Sequence, residues 1–323
     1  MVHKQLTKAR SKKKDDFYTS ISDIENELKY YTSHFKNKVV LCNCDDPRVS
    51  NFFHYFAYNF ERLKLKKLIS VCYKNQNLEM FTNSKSEQAI YIEYTGDKNG
   101  NRVPDLEEIE VISLKGDGDF RSLECIKLLE EADIVVTNPP FSLFREYIKQ
   151  LMEYKKKFII IGTMNVITYK EVFPLIKDNK IWMGINNNQS CVFKTPYINT
   201  LEDNKKFCEQ KGYVGDNFVK VPGINWYTNL LHKKRNEELI LVKTYKGNEK
   251  DYPKYDNYDA IEVSKVTKIP KDYYGCMGVP ITFLDKYNSN QFEIVKFRKG
   301  DDGKDLSING KYPYFRILIK RTN

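Results

Sequence analysis

The chain has 323 residues, of which 53 are Lys or Arg and 43 Asp or Glu, so its formal net charge is +10. It is 41% hydrophobic and 14% aromatic, with only 15 Gly and 11 Pro, which excludes disordered, collagen-like and low-complexity classes. The length suits two average domains, or one large α/β domain with an appendage, and the basic excess points to an anionic partner, nucleic acid ahead of a membrane surface.

In chain order, residues 1–14 carry six basic side chains, Lys4, Lys8, Arg10, Lys12, Lys13 and Lys14, and no acid. This arm is either a solvated tail or a segment that contacts phosphates. It has no apolar stretch that would make it a signal peptide. Residues 17–35 read as a helix, with Ser22 as N-cap and Glu25 closing a capping box. KVVLCNC (38–44) is β-branched and apolar and stops at Asp45, Asp46 and Pro47. Residues 49–63 place aromatics at helical spacing, and 65–73 read as a second strand. Residues 74–105 are polar, with one strand at 89–94. A strand at 109–115 ends in Gly116-Asp117-Gly118-Asp119. A helix at 122–132, a buried strand at 133–137, a helix at 142–154 and a buried strand at 157–163 follow.

Short apolar strands alternating with amphipathic helices imply α/β architecture, a Rossmann-like, mostly parallel sheet built from βαβ units. Ligands of such sheets bind at the carboxyl ends of the strands, which directs attention to the loops at 43–50, 115–121, 137–141 and 163–169. Beyond this, 224–231 alternates and 278–284 is apolar, while 246–323 is dense in Tyr and Lys. We therefore expect an arm at 1–14, a main domain at 15–245 and a smaller region at 246–323. The apolar run at 158–167 is too short to cross a bilayer. Seven scattered cysteines without a C-x-x-C pair, and histidines without ligand spacing, argue for reduced thiols, no metal and a cytoplasmic protein.

The strongest chemical signal is Asn138-Pro139-Pro140-Phe141, at the end of a buried strand. Two prolines fix φ and remove two N–H donors, so the loop offers carbonyl acceptors. Asn138 adds a side-chain acceptor and Phe141 a flat face. A planar group with an NH₂ on its edge fits: the amine donates to Asn138 and to the Pro139 carbonyl while the ring stacks on Phe141. Pulling those hydrogens out of plane frees the amine lone pair, so catalysis needs positioning and electrostatics rather than a strong base. An ordinary strand-to-helix turn is the plain alternative.

Asn-Pro-Pro-Phe resembles the catalytic signature of amino-methyltransferases. More closely, KKKDDFYTSISDIENELKYY, VLCNCDDPRVSNFF, GDGDFRS, DIVVTNPPFSLF, YPKYDNYDAI and MGVPITFL resemble EcoRI-type adenine-specific DNA methyltransferases over nearly the whole chain. The resemblance implies S-adenosyl-L-methionine as cofactor, adenine N6 in duplex DNA as target, base flipping, and a place in restriction-modification, with GAATTC as the site. It implies cofactor contacts from Phe17, Tyr18 and Thr19, from Asp45, Asp46 and Pro47, from Asn138, and from Asp119 and Phe120, Asp119 accepting the cofactor's adenine amine. The loop after the first strand has no glycine, a departure from the usual pattern. Nor does an acidic residue for the ribose stand directly after the second strand; Glu93 is a distant candidate. Asp45 and Asp46 could instead cap a helix, and Asp117 and Asp119 could form a plain turn. The expected DNA contacts include Lys8, Arg10, Lys12, Lys13 and Lys14, with target recognition in 246–323. The expected partners are double-stranded DNA and, without a stable complex, a restriction endonuclease encoded nearby; we expect a monomer that touches no membrane. Competing functions are methylation of RNA or of a protein glutamine, or DNA binding by a protein whose cofactor site has decayed.

Overall fold

The computed structural model describes residues 19–44, 50–71, 89–101, 104, 108–187, 189–195 and 198–322. They fall into two compact units, one running to Val166 and resuming over Asn186–Leu230, the other formed by Ile167–Ile185 and the chain from Leu231 onward.

The first unit opens with α1 (Ile21–Leu28). Its N-cap is Ser20, whose hydroxyl accepts from Asp23 N at 3.1 Å and donates to the Asp23 carboxylate at 2.8 Å. Sequence reasoning placed the cap at Ser22. Both serines have an acid three residues on, and Ser20, two residues earlier, wins because its hydroxyl bonds both the Asp23 N–H and the Asp23 carboxylate. Strand β1 (Val39–Cys42) is buried throughout. Ser50 then caps α2 (Asn51–Tyr58), and α3 (Phe60–Leu63) ends on Lys64 in the left-handed region. Strand β2 (Lys67–Val71) pairs with β3 (Ile90–Tyr94), and β3 with β4 (Ile109–Ser113). Next come α4 (Leu123–Glu131), capped by Ser122, β5 (Ile134–Thr137), α5 (Phe144–Glu153) and β6 (Lys157–Thr163). Strand β7 (Gln189–Lys194), helix α6 (Glu202–Gln210) and strand β8 (Phe218–Thr228) complete the unit.

The strand order is β4-β3-β2-β1-β5-β6-β8, with β7 also paired to β8. The central four, β2, β1, β5 and β6, are parallel. This is the expected Rossmann-like α/β sheet. The near-continuous apolar runs of β1, β5 and β6 exist because helices cover both faces. Alternation still sorts their side chains: Val40, Ile134, Val136, Ile159 and Ile161 join Ile24, Leu28, Phe52, Phe56 and Trp226 in one buried cluster. The strand at 109–113 does not follow β2 as a parallel neighbour, because β3 lies between them and both contacts of β3 are antiparallel. The segment joining β3 to β4 turns at Gly96 and Gly100, both at positive φ.

In the second unit, β9 (Ile261–Glu262), β10 (Met277–Pro280), β11 (Phe292–Phe297) and β12 (Arg316–Arg321) form a sheet in the order β9-β10-β12-β11. A bulge between Ile294 and Lys296 interrupts the β11–β12 ladder. The expected division at 246 falls inside this unit. Residues 167–185 belong to it because Lys177 Nζ donates to the Val295 carbonyl at 2.7 Å and Phe173 packs on Phe297 with ring centroids 5.1 Å apart. No helix among the described residues is long and apolar enough to cross a membrane.

Candidate active site

Strand β5 is buried over its whole length and delivers Asn138, 6% exposed, followed by buried Pro139, half-buried Pro140 and buried Phe141. Pro140 O accepts from Leu143 N at 2.9 Å, a turn that sends the chain into α5. Phe141 is anchored in the main apolar cluster. The parallel register sets Leu41 of β1 opposite Val135 of β5, so continuing it two residues brings Asn43 level with Thr137.

Asn43 is buried at the tip of β1, and its side-chain carbonyl accepts from the hydroxyl of Tyr147 on α5. Burial pushes the Tyr147 phenol well above its ordinary range, so it stays a neutral donor. With Asn43 Oδ1 occupied in this way, its NH₂ is turned away from Tyr147. Phe120 meets the same tyrosine edge-on, centroids 5.1 Å apart, and its carbonyl accepts from Gln150 Nε2 at 3.0 Å. The turn carrying Phe120 is tightly organised. Glu124 accepts from Lys115 N and Gly116 N, Asp117 accepts from Asp119 N, and Gly118 sits at φ +76°, where a side chain would be strained. So the plain-turn geometry is present, and it aims Phe120 at α5.

Asp119 is held by its neighbour. Arg121 donates to Oδ1 through its backbone N and Nε, both at 2.8 Å, and to Oδ2 through Nη2 at 2.6 Å, while its Nη1 reaches Glu146 at 2.7 Å. The Arg121 hydrogen bonds hold the Asp119 carboxyl below its usual range. On the other side, Asn51, the first residue of α2, donates from its amide to the Thr19 carbonyl at 2.7 Å. Thr19 is 2% exposed, and its hydroxyl has no hydrogen-bond partner among the described residues. Thr19, the β1 tip, the 116–121 turn and the β5 tip thus gather around one end of the parallel strands, through α2 and α5.

Phe17, Tyr18, Asp45, Asp46 and Pro47, and the arm residues Lys8, Arg10, Lys12, Lys13 and Lys14, lie outside the described residues. Glu93 is corrected. It pairs with Lys67 at 2.8 Å, and Lys67 pairs with Glu131 at 2.7 Å. Lys67 opens β2, so the carboxylate of Glu93, a residue in register with Ile69, is drawn toward the amino end of the strands and is already paired there.

Comparison with known proteins supplies the family. The model for the adenine-specific methyltransferase EcoRI matches residues 5–322. The chain is 55% identical to the type II methyltransferase M.EcoRI of Escherichia coli, over 99% of this chain and 97% of that protein. It is 38% identical to M.MgeORF184P of Mycoplasma genitalium and 37% identical to M.MpnI of Mycoplasma pneumoniae, both type II methyltransferases, with 98% of each chain covered. The chain belongs to the EcoRI-type adenine-specific methyltransferases. No solved structure gave a significant match. In this EcoRI-type methyltransferase the family match runs through both compact units, so the second unit is part of the shared frame.

Sequence reasoning missed Asn43, Tyr147, Gln150 and Arg121. Tyr147 reads as a core aromatic three residues after Phe144, and its partner lies 104 positions away. Tyr147→Phe is expected to lower stability by about 1–3 kcal/mol, since it leaves a buried Asn43 carbonyl without its donor. Urea unfolding checks this: the midpoint should fall with an unchanged slope, and an unmoved midpoint would assign the bond no net value.

Proposed function

We propose that the protein is a site-specific DNA methyltransferase that transfers a methyl group from S-adenosyl-L-methionine to adenine N6 in duplex DNA, as the modification half of a type II restriction-modification pair. The observation that carries this is the Asn138-Pro139-Pro140-Phe141 loop at the carboxyl end of buried β5, level with Asn43 and beside Phe120 through α5. Asn138 Oδ1 and the Pro139 carbonyl accept the hydrogens of the target amine, and Phe141, fixed in the core, gives the base an apolar floor. A stacked adenine cannot reach a strand tip, so the base is flipped out at a cost of a few kcal/mol.

The residues present fit the cofactor. A buried threonine hydroxyl with no partner among the described residues and a carboxylate beside an aromatic ring suit a ligand that carries both polar groups and an aminopurine. Thr19, Asp119 and Phe120 would hold it, together with Phe17, Tyr18, Asp45, Asp46 and Pro47. When bound, S-adenosylmethionine supplies an electrophilic methyl group on a sulfonium. The chain's own task is to hold the target amine with its hydrogens drawn away from the ring plane and to keep water out.

DNA contacts that offset flipping come from the arm and the second unit. The protein acts as a monomer and needs no stable complex with the endonuclease. Incubation with methyl-labelled S-adenosylmethionine and a duplex containing GAATTC, followed by nucleoside analysis, tests the proposal. N6-methyladenine at the inner adenine is the expected product. Label in RNA or in protein glutamine would replace it with those readings, and no cofactor binding by calorimetry would favour a decayed site.

Deleting residues 1–14 is expected to weaken DNA binding without changing the preferred sequence. Lysines act on phosphates as point charges that position the protein but carry no sequence information. Each lost phosphate contact should flatten the slope of log K against log salt by about 0.9. An unchanged slope would make the arm a bystander, and an altered site preference would make it a base reader.

A further inference from the structure

We infer that Arg121 is a positioning residue for the methyl donor: it orients the Asp119 carboxylate and ties it to the helix behind Asn138–Phe141. The inference rests on the proposed use of S-adenosylmethionine. A carboxylate has about four acceptor positions. Arg121 fills three of them, two on Oδ1 and one on Oδ2. One position on Oδ2 remains, so Asp119 can take a single further donor from a single direction, which suits one hydrogen of an exocyclic amine.

The same side chain fastens the turn. Its remaining arm, Nη1, bonds Glu146 in the first turn of α5. The next residue of that helix, Tyr147, packs on Phe120, and Gln150, one turn on, holds the Phe120 carbonyl. Asp119, Phe120 and Arg121 are therefore docked as a set on the helix that begins just after the Asn-Pro-Pro-Phe loop. Moving the carboxylate means moving against α5. A planar, five-donor guanidinium can bridge two carboxylates in this way, whereas a lysine ammonium cannot reproduce the fork.

The charged and titratable groups around Asp119 are Arg121 and Asp117 from its own turn, Glu124 and Cys125 from α4, and Glu146 from α5. Burial pushes the Cys125 thiol upward, so it stays neutral. Arg121 is the cation whose hydrogen bonds hold the Asp119 carboxyl low. Removing the guanidinium lets that carboxyl return toward the ordinary range, so protonation starts at a higher pH.

The test is calorimetry of S-adenosylmethionine and of S-adenosylhomocysteine on the full chain from pH 4 to 8. It compares wild type with Arg121→Met, Arg121→Lys, Asp119→Asn and the Arg121→Met/Asp119→Asn pair, alongside ligand-free melting. Arg121→Met should lose about tenfold or more in affinity, the scale of a lost charge-assisted contact. Its loss should hold from pH 8 down to 5 and deepen only as pH falls toward 4, while wild type holds, and melting should move little, because Arg121 is half exposed. Arg121→Lys should restore the pH profile by returning charge but not the full affinity. The double variant should bind about as weakly as Asp119→Asn alone. Unchanged affinity and pH profile in Arg121→Met, or additive losses in the double variant, would overturn the inference while leaving the donor assignment intact. Wild-type protein that binds neither ligand would overturn both.

Discussion

Asn138→Ala is expected to all but abolish methyl transfer, lowering kcat by about 10²–10³, while leaving S-adenosylmethionine affinity nearly unchanged. The residue sits one position past a fully buried strand, between Thr137 and two prolines. Neither proline can donate through its backbone, so the side chain and the carbonyls are what the loop offers to an amine. An acceptor of this kind gains strength as the nitrogen rehybridises and its N–H bonds polarise, so its loss falls on the transition state rather than on the ground state. Removing one preorganised hydrogen-bonding group from such a site costs about 10²–10³ in kcat, and the KM for DNA should change far less. Single-turnover methylation with saturating cofactor gives the chemical step directly, and calorimetry gives the cofactor affinity. A variant that keeps near-normal single-turnover rates would remove Asn138 from the chemistry and move attention to the Pro139 carbonyl alone.

The parts of this site that lie on one stretch of chain were legible in the sequence. The run Ile134–Thr137 followed by Asn-Pro-Pro-Phe declares a buried strand and its tip, whereas the caps were not legible: Asp45 and Asp46 were the candidates for the helix that Ser50 caps. What depends on pairing was not legible. Nothing in residues 109–113 says that 90–94 will stand between them and β2. Glu93 carried the right chemistry for a ribose contact, yet antiparallel pairing turns its strand so that it meets Lys67 at the opposite end. Asn43 and Tyr147 are ordinary residues until the register of β1 on β5 and the exit of α5 bring them together. Arg121 was visible as a charge beside Asp119, but its fork over two carboxylates requires α5 to be in place. Residues 167–185 follow β6 directly in sequence, and it is tertiary contact, Phe173 on Phe297 and Lys177 on the Val295 carbonyl, that assigns them to the second unit.

The second unit holds a buried ion pair between Arg316 and Glu262, and Arg316→Leu is expected to cost about 3–5 kcal/mol. Arg316 opens β12 and Glu262 closes β9, with their side chains 12% and 8% exposed. The guanidinium donates through Nε to both carboxylate oxygens at 3.0 Å and through Nη2 to Oε1 at 2.7 Å. The Tyr255 hydroxyl also donates to Oε2. Burial pushes that phenol above its ordinary value, so it remains a neutral donor. Leucine replaces the stem of Arg316 but strands a carboxylate away from water, which is the expensive way to break such a pair. Replacing both ends, Arg316→Leu with Glu262→Leu, removes the stranded charge and should cost much less than the sum of the single changes. Chemical denaturation of the three variants measures the coupling, and hydrogen exchange over β9–β12 shows where the protection is lost. Cofactor affinity should survive, because Thr19, Asn43 and Asp119 belong to the first unit, whereas DNA affinity should fall with the integrity of the second. Equal losses in the single and double variants would mean that the pair is no more than packing volume, and intact DNA binding by a loosened second unit would move recognition elsewhere on the chain.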